Sequence, residues 1–146
     1  MPKLFVINGP NLNLLGSREP DIYGADTLQD IERILRQKAD TLNIQLEFHQ
    51  SNHEGVLVDL IQEAGRLNAG IILNAGAYTH TSIALRDAIS GSRAKVIELH
   101  LSNIHARESF RHHSMIAPVC IGVICGFGAA GYEIAFDAIV NILKKS

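Results

Sequence analysis

Apolar residues follow two alternating rhythms along this chain. Continuous, β-branched-rich runs at Leu4–Ile7, Ile44–Phe48, Gly70–Leu73, Lys95–Leu99 and Val119–Ile124 read as strands covered on both faces. Between them the spacing turns helical. From Thr27 to Leu42 the apolar positions are Leu28, Ile31, Ile34, Leu35, Ala39 and Leu42, with Asp26 as the predicted cap. Val56, Leu57, Leu60, Ile61, Ala64 and Leu67 repeat the period and close at Asn68-Ala69-Gly70. A third helix is predicted over Ile83–Ile89, capped by Thr79 or Thr81. A fourth, Tyr132–Leu143, ends in Lys144-Lys145, where positive charge suits a helix C-terminus. The stretch from Asn103 to Ser114 is polar and irregular, with room for one short helix.

Strands alternating with helices imply a parallel sheet with right-handed crossovers. Five such units in 146 residues fit an α/β fold, a flavodoxin-like doubly wound sandwich with a five-stranded parallel sheet. We expect one catalytic domain over residues 1–146. A balance of 47% hydrophobic and 19% charged residues argues against disorder. A net charge of −2 offers no footprint for nucleic acid or an acidic membrane. No apolar run approaches the ~18 residues of a membrane span. The first run is also too short for a signal-peptide core, so a cytoplasmic location is expected. Cys120 and Cys125 fall on the last predicted strand and the turn after it, on opposite faces. Free, buried thiols are therefore expected rather than a bridge.

In open α/β sheets, ligands bind beyond the carboxyl ends of the strands, where strand order reverses. Those ends carry Asn8 and Asn11, then Asn74 through His80, then Glu98, His100, Ser102 and Asn103, and finally Gly126-Phe-Gly128. Polar side chains and glycines along one sheet edge suit a polar small-molecule pocket. Glu98 and His100 stand two apart on a strand and so leave the same face. A carboxylate there orients the imidazole for general acid work. The connection from Asn8 to Gly24 is far longer than the usual ~2–6 residues. Gly16 and Gly24 bracket Arg18 and Tyr23 within it, as a hinged lid would need. A phenol ordinarily ionises near pH ~10, and neighbouring guanidinium groups favour the phenolate, so Tyr23 can act as a base. Arg107 and Arg111 could add positive charge. His112-His113 and the His100/His105 pair lack the spacings of zinc sites, and no metal is expected. Gly126-Phe-Gly-Ala-Ala-Gly131 matches a dinucleotide fingerprint, but no second strand with an acidic residue follows it. A tight turn with close helix–sheet packing is the expected role.

Taken together, these residues resemble the type II 3-dehydroquinate dehydratases along essentially the whole chain. The resemblance rests on Asn8-Gly-Pro-Asn-Leu-Asn-Leu-Leu-Gly16, Arg18 with Tyr23-Gly24, Ser51-Asn-His-Glu-Gly55 and Asn74-Ala-Gly-Ala-Tyr-Thr-His80. It extends through Ala84-Leu-Arg-Asp87, Glu98-Leu-His-Leu-Ser-Asn103, Ala106-Arg-Glu108 and Phe110-Arg111. Leucines at 99 and 101 are conservative departures.

The resemblance implies anti elimination of water from 3-dehydroquinate, giving 3-dehydroshikimate through an enolate, in the shikimate pathway. Tyr23, tuned by Arg18, would take the proton beside the ketone. Asn11 and an ordered water would stabilise the enolate, and His100, oriented by Glu98, would protonate the departing hydroxyl. Asn74, Leu101 and Ser102 would hold the substrate carboxylate, while His80, Asp87 and Arg111 would bind ring hydroxyls. No cofactor is implied. Assembly as a homododecamer of four trimers is, with Asp87 supplied by a neighbouring subunit. The expected placement of His80 and Asp87 two turns apart on one helix, about 10 Å along its axis, agrees with that. No lysine occupies a strand-end motif, which argues against the unrelated Schiff-base route. Two other readings of the fold are a flavin- or nucleotide-holding module and a non-catalytic subunit.

Overall fold

The computed structural model describes residues 2–17 and 26–145. Arg18 and Tyr23, and with them the predicted lid segment up to Gly24, lie outside the described residues. Five strands form one all-parallel sheet: β1 (Lys3–Asn8), β2 (Gln45–Gln50), β3 (Gly70–Asn74), β4 (Lys95–His100) and β5 (Gly122–Cys125). Their order is β2-β1-β3-β4-β5. The order reverses between β1 and β3, which makes that pair the expected mouth of a ligand crevice.

Alternation along each strand sends side chains into two separate cores. Leu4 and Val6 of β1 join Ile72, Ile97 and Leu99 under α1 (Leu28–Thr41) and α4 (Ala130–Lys144). Phe5 and Ile7 join Ile71, Leu73 and Val96 under α2 (Glu54–Arg66) and α3 (Ile83–Ser92). Leu35 and Phe136 in the first core, and Leu57, Ile61 and Leu85 in the second, are fully buried. Each such side chain contributes about 1.5–3 kcal/mol by leaving water. The sandwich is therefore rigid on both faces, and the strand ends it holds are fixed platforms.

Several boundaries differ from expectation for identifiable reasons. The cap of α1 is Thr27, not Asp26. Thr27 Oγ1 accepts the Asp30 N–H at 3.1 Å, and the Asp30 carboxylate accepts the Thr27 N–H at 3.0 Å. This reciprocal box, closed by Asp30 three residues after Thr27, satisfies both N–H groups and starts the helix one residue later than expected. Ser82, not Thr79 or Thr81, caps α3 by accepting the Leu85 N–H at 3.0 Å. Residues Gly76–His80 wind into a 3₁₀ turn instead, so His80 precedes the helix and does not share it with Asp87. The last strand begins at Gly122 rather than Val119. Pro118 has no N–H to give a ladder, and Ala117–Val119 forms a 3₁₀ turn. Cys120 therefore sits in the approach to β5, and only Cys125 lies on the strand. Both thiols are free and partly buried. Burial, then the Glu98 carboxylate, pushes the Cys120 thiol up to about 12. The irregular stretch after β4 holds two 3₁₀ turns, Ile104–Ala106 and Ser109–Arg111.

The glycine-rich turn after β5 behaves as a packing device. Gly126 N–H reaches the His100 carbonyl at 3.3 Å and Gly128 N–H reaches the Leu101 carbonyl at 2.9 Å. A Cβ on Gly131 would sit 2.9 Å from Leu99 Cδ1, so a larger residue would force the Leu99 side chain to shift.

Candidate active site

A cleft of about 90 Å³ opens beyond the carboxyl ends of β1, β3 and β4. Asn11, Asn74, His80, His100, Leu101, Ser102 and Arg111 line it, together with Arg107. Larger hollows exist, one of about 250 Å³ beside α1 and α4 and one of about 500 Å³ at the opposite strand ends. The smaller cleft differs in chemistry: amides, imidazoles, a hydroxyl and two guanidinium groups converge on it.

Exit loops from β1 and β3 press together to form its floor. Gly9 N–H donates to the Asn74 carbonyl at 2.7 Å, and a Cβ on Gly9 would lie 2.5 Å from the Ala75 carbonyl oxygen. No side chain fits there. Two residues on, Asn11 adopts a left-handed conformation with φ of 68°. Its N–H is tied to Asn52 Oδ1 at 3.0 Å, so the backbone is pinned while the side chain lines the cleft.

At the end of β4, Glu98 is fully buried and His100 is 5% exposed. His100 Nε2 lies 2.6 Å from Glu98 Oε2. Ser114 Oγ donates to Glu98 Oε1 at 2.8 Å and itself accepts the Ala117 N–H at 3.0 Å. An ionised carboxylate only accepts, so the imidazole Nε2 carries the proton in this contact. Nδ1 remains as the ring nitrogen available to a ligand. The expected face-sharing pair is thus formed, with a second anchor, Ser114, that local sequence did not reveal.

His80 stacks on His100 with centroids 6.2 Å apart and planes 18° from parallel. Its Nδ1 donates to the His113 carbonyl at 2.8 Å, which leaves Nε2 for the cleft. Burial pulls the His80 pKa below its ordinary value, opposed by the His113 carbonyl and reinforced by the positive potential of His100 and Arg111. Arg107 Nη1 donates to Ser102 Oγ at 3.3 Å, and Arg111 Nε pairs with Glu108 at 3.1 Å. Asp87 does not line this cleft. It borders a separate hollow with Gln62, Arg66 and Ser92 between α2 and α3.

A family model described as dehydroquinase class II matches residues 2–140. The chain belongs to the class II dehydroquinase family of enzymes. A protein named 3-dehydroquinate dehydratase from a Jannaschia species is 62% identical over 143 residues, covering 98% of this chain and 97% of its own length. One of the same name from Trichodesmium erythraeum is 58% identical over 142 residues, covering 97% and 95%. The crystal structure of a type II dehydroquinase from Butyrivibrio crossotus matches with a TM-score of 0.92 at 47% identity, covering 95% of this chain and 97% of that one. A 3-dehydroquinate dehydratase-like protein from Bifidobacterium longum, 26% identical, still gives 0.73 over 99% of both chains. The five-stranded parallel sandwich of this chain is thus the class II dehydroquinase architecture.

Proposed function

We propose that this chain dehydrates 3-dehydroquinate to 3-dehydroshikimate by anti elimination. A C–H bond beside the ketone and a C–OH bond break, a C=C bond conjugated to the ketone forms, and water leaves. Tyr23 as phenolate takes the proton, and Arg18 favours its ionised form. Asn11 and an ordered water meet the enolate oxygen, because developing charge needs oriented dipoles. His100, protonated on both ring nitrogens with Nε2–H held by Glu98, delivers its Nδ1 proton to the departing hydroxyl, and the proton taken by Tyr23 returns to solvent. Glu98 fixes which ring nitrogen faces the cleft. Asn74 with Leu101 and Ser102 holds the carboxylate, Leu101 through its backbone, while His80, Arg111 and a neighbour's Asp87 hold ring hydroxyls.

The observation that carries this reading is the buried Glu98–His100 pair, only 2.6 Å apart, opening on a cleft of amides and guanidinium groups. No lysine lines the cleft among the described residues, which supports an enolate route over an imine. The relatives' shared name, 3-dehydroquinate dehydratase, supports the substrate. Assembly of one-domain chains into a homododecamer of four trimers, in the cytoplasm and serving aromatic amino acid biosynthesis, completes the reading. Exposed Ile121 and Val123 along the β5 edge support subunit contacts.

The test is a rise in enone absorbance on adding 3-dehydroquinate. Tyr23→Phe and His100→Ala should each nearly abolish it while circular dichroism stays native. Activity should survive both EDTA and borohydride. Borohydride inactivation would point to an imine, and a near-native Tyr23→Phe rate would remove Tyr23 as the base.

A further inference from the structure

Behind the cleft runs a chain of four hydrogen bonds whose direction is forced at both ends. Asn8, fully buried at the end of β1, gives Nδ2–H to the His49 carbonyl at 3.0 Å. A carbonyl only accepts, so the Asn8 amide must point its nitrogen at β2 and its oxygen inward. Tyr132, 1% exposed at the start of α4, donates its hydroxyl to that oxygen at 2.6 Å. The hydroxyl has one proton, now used. It can only accept from its other neighbour, Asn74 Nδ2, at 3.0 Å. Asn74 Oδ1 then faces the Gly76 N–H at 3.3 Å, a group that can only donate. Read from His49 or from Gly76, the two amides take the same orientation.

Asn74 is the only member of this relay among the cleft-lining side chains named above. Its amide could present nitrogen or oxygen to a ligand with little change of shape. Those two faces are opposite in effect: an N–H attracts a carboxylate, and a carbonyl oxygen repels it. From this geometry we infer that Tyr132 is a positioning residue that fixes Asn74 with its remaining N–H offered to the substrate carboxylate. The inference rests on the carboxylate role given to Asn74 in the proposed function. Burial drives the phenol's pKa well above its ordinary value, so the hydroxyl keeps its proton and the relay holds its direction throughout the working pH range.

A double-variant cycle tests it, reading the Kd of 3-dehydroshikimate by calorimetry. Tyr132→Phe in the wild-type background should weaken binding about tenfold, the worth of a hydrogen bond to a charged group. In an Asn74→Ala background the same change should have no further effect. Asn8→Ala keeps the Tyr132 ring and hydroxyl but frees that hydroxyl to donate to Asn74, so it too should weaken binding only where Asn74 is present. It keeps the question open to test if Tyr132→Phe does not fold. Equal weakening in both backgrounds overturns the positioning role, as does unchanged binding in Tyr132→Phe or in Asn8→Ala. If Asn74→Ala alone binds like wild type, the carboxylate role of Asn74 fails and takes this inference with it. If the wild type neither binds product nor turns over 3-dehydroquinate, the proposed function itself has failed.

Discussion

Glu98 has no access to water, so every lone pair it needs satisfied must find a protein donor. His100 serves one oxygen and Ser114 the other. Ser114→Ala removes one donor and leaves a buried carboxylate half-paired, at a cost of about 1.5–3 kcal/mol. With the carboxylate freer to rotate, His100 loses the anchor that aims Nδ1 at the cleft. We therefore expect kcat to fall about tenfold or more, with KM changed much less. A kcat unchanged in Ser114→Ala would show that His100 holds Glu98 unaided. His80 gives the pH dependence. Its folded pKa lies below 6.5, chiefly through burial, so the unfolded chain binds more protons between the native midpoint and 6.5. Stability should rise with pH across that window and be lost as pH falls through it. Proton NMR should find the His80 ring titrating below the ordinary imidazole value, and His80→Gln should flatten the slope of urea midpoint against pH. Residues that line the cleft were readable from their types at strand ends. Ser114 and Tyr132 were not, because their partners stand 16 and 124 positions away and only the folded sheet joins them.

Helices and strands were readable to within a few residues wherever burial imposes a period. Leu28, Ile31, Leu35 and Ala39 form the buried stripe of α1, and their spacing alone announces it. Ends were harder, since they depend on single side chains competing for the same N–H groups. Thr27 rather than Asp26 takes the cap, in a reciprocal pair with Asp30 three residues on. The backbone and then the hydroxyl of Thr27 hold the Asp30 carboxyl below its ordinary range. Thr27→Ala should destabilise the protein by about 1 kcal/mol, and Thr27→Ser should restore most of it. Urea unfolding of the two variants measures this directly, and equal midpoints for Thr27→Ala and wild type would contradict the box.

Across the molecule, the distance between Asp87 and the cleft is most instructive. Asp87, expected among the groups that bind substrate hydroxyls, borders the α2–α3 hollow and not the cleft that holds His100. Sequence spacing hinted at this separation for an incorrect reason, placing His80 and Asp87 on one helix, whereas a 3₁₀ turn ending at His80 precedes α3. If each site combines one subunit's His100 with another's Asp87, symmetric assembly makes a definite prediction. Asp87→Ala and His100→Ala chains should each be poorly active alone. Co-expressed in equal amounts, they form some sites with an intact His100 facing an intact Asp87 from the other chain. With random mixing that is about a quarter of all sites, so activity should rise well above the mean of the two parents. Were both residues to act within one chain, no mixed site would hold the pair, and activity would stay at that mean. Light scattering on the same samples shows whether the variants still assemble, which separates loss of a shared site from loss of the assembly that creates it.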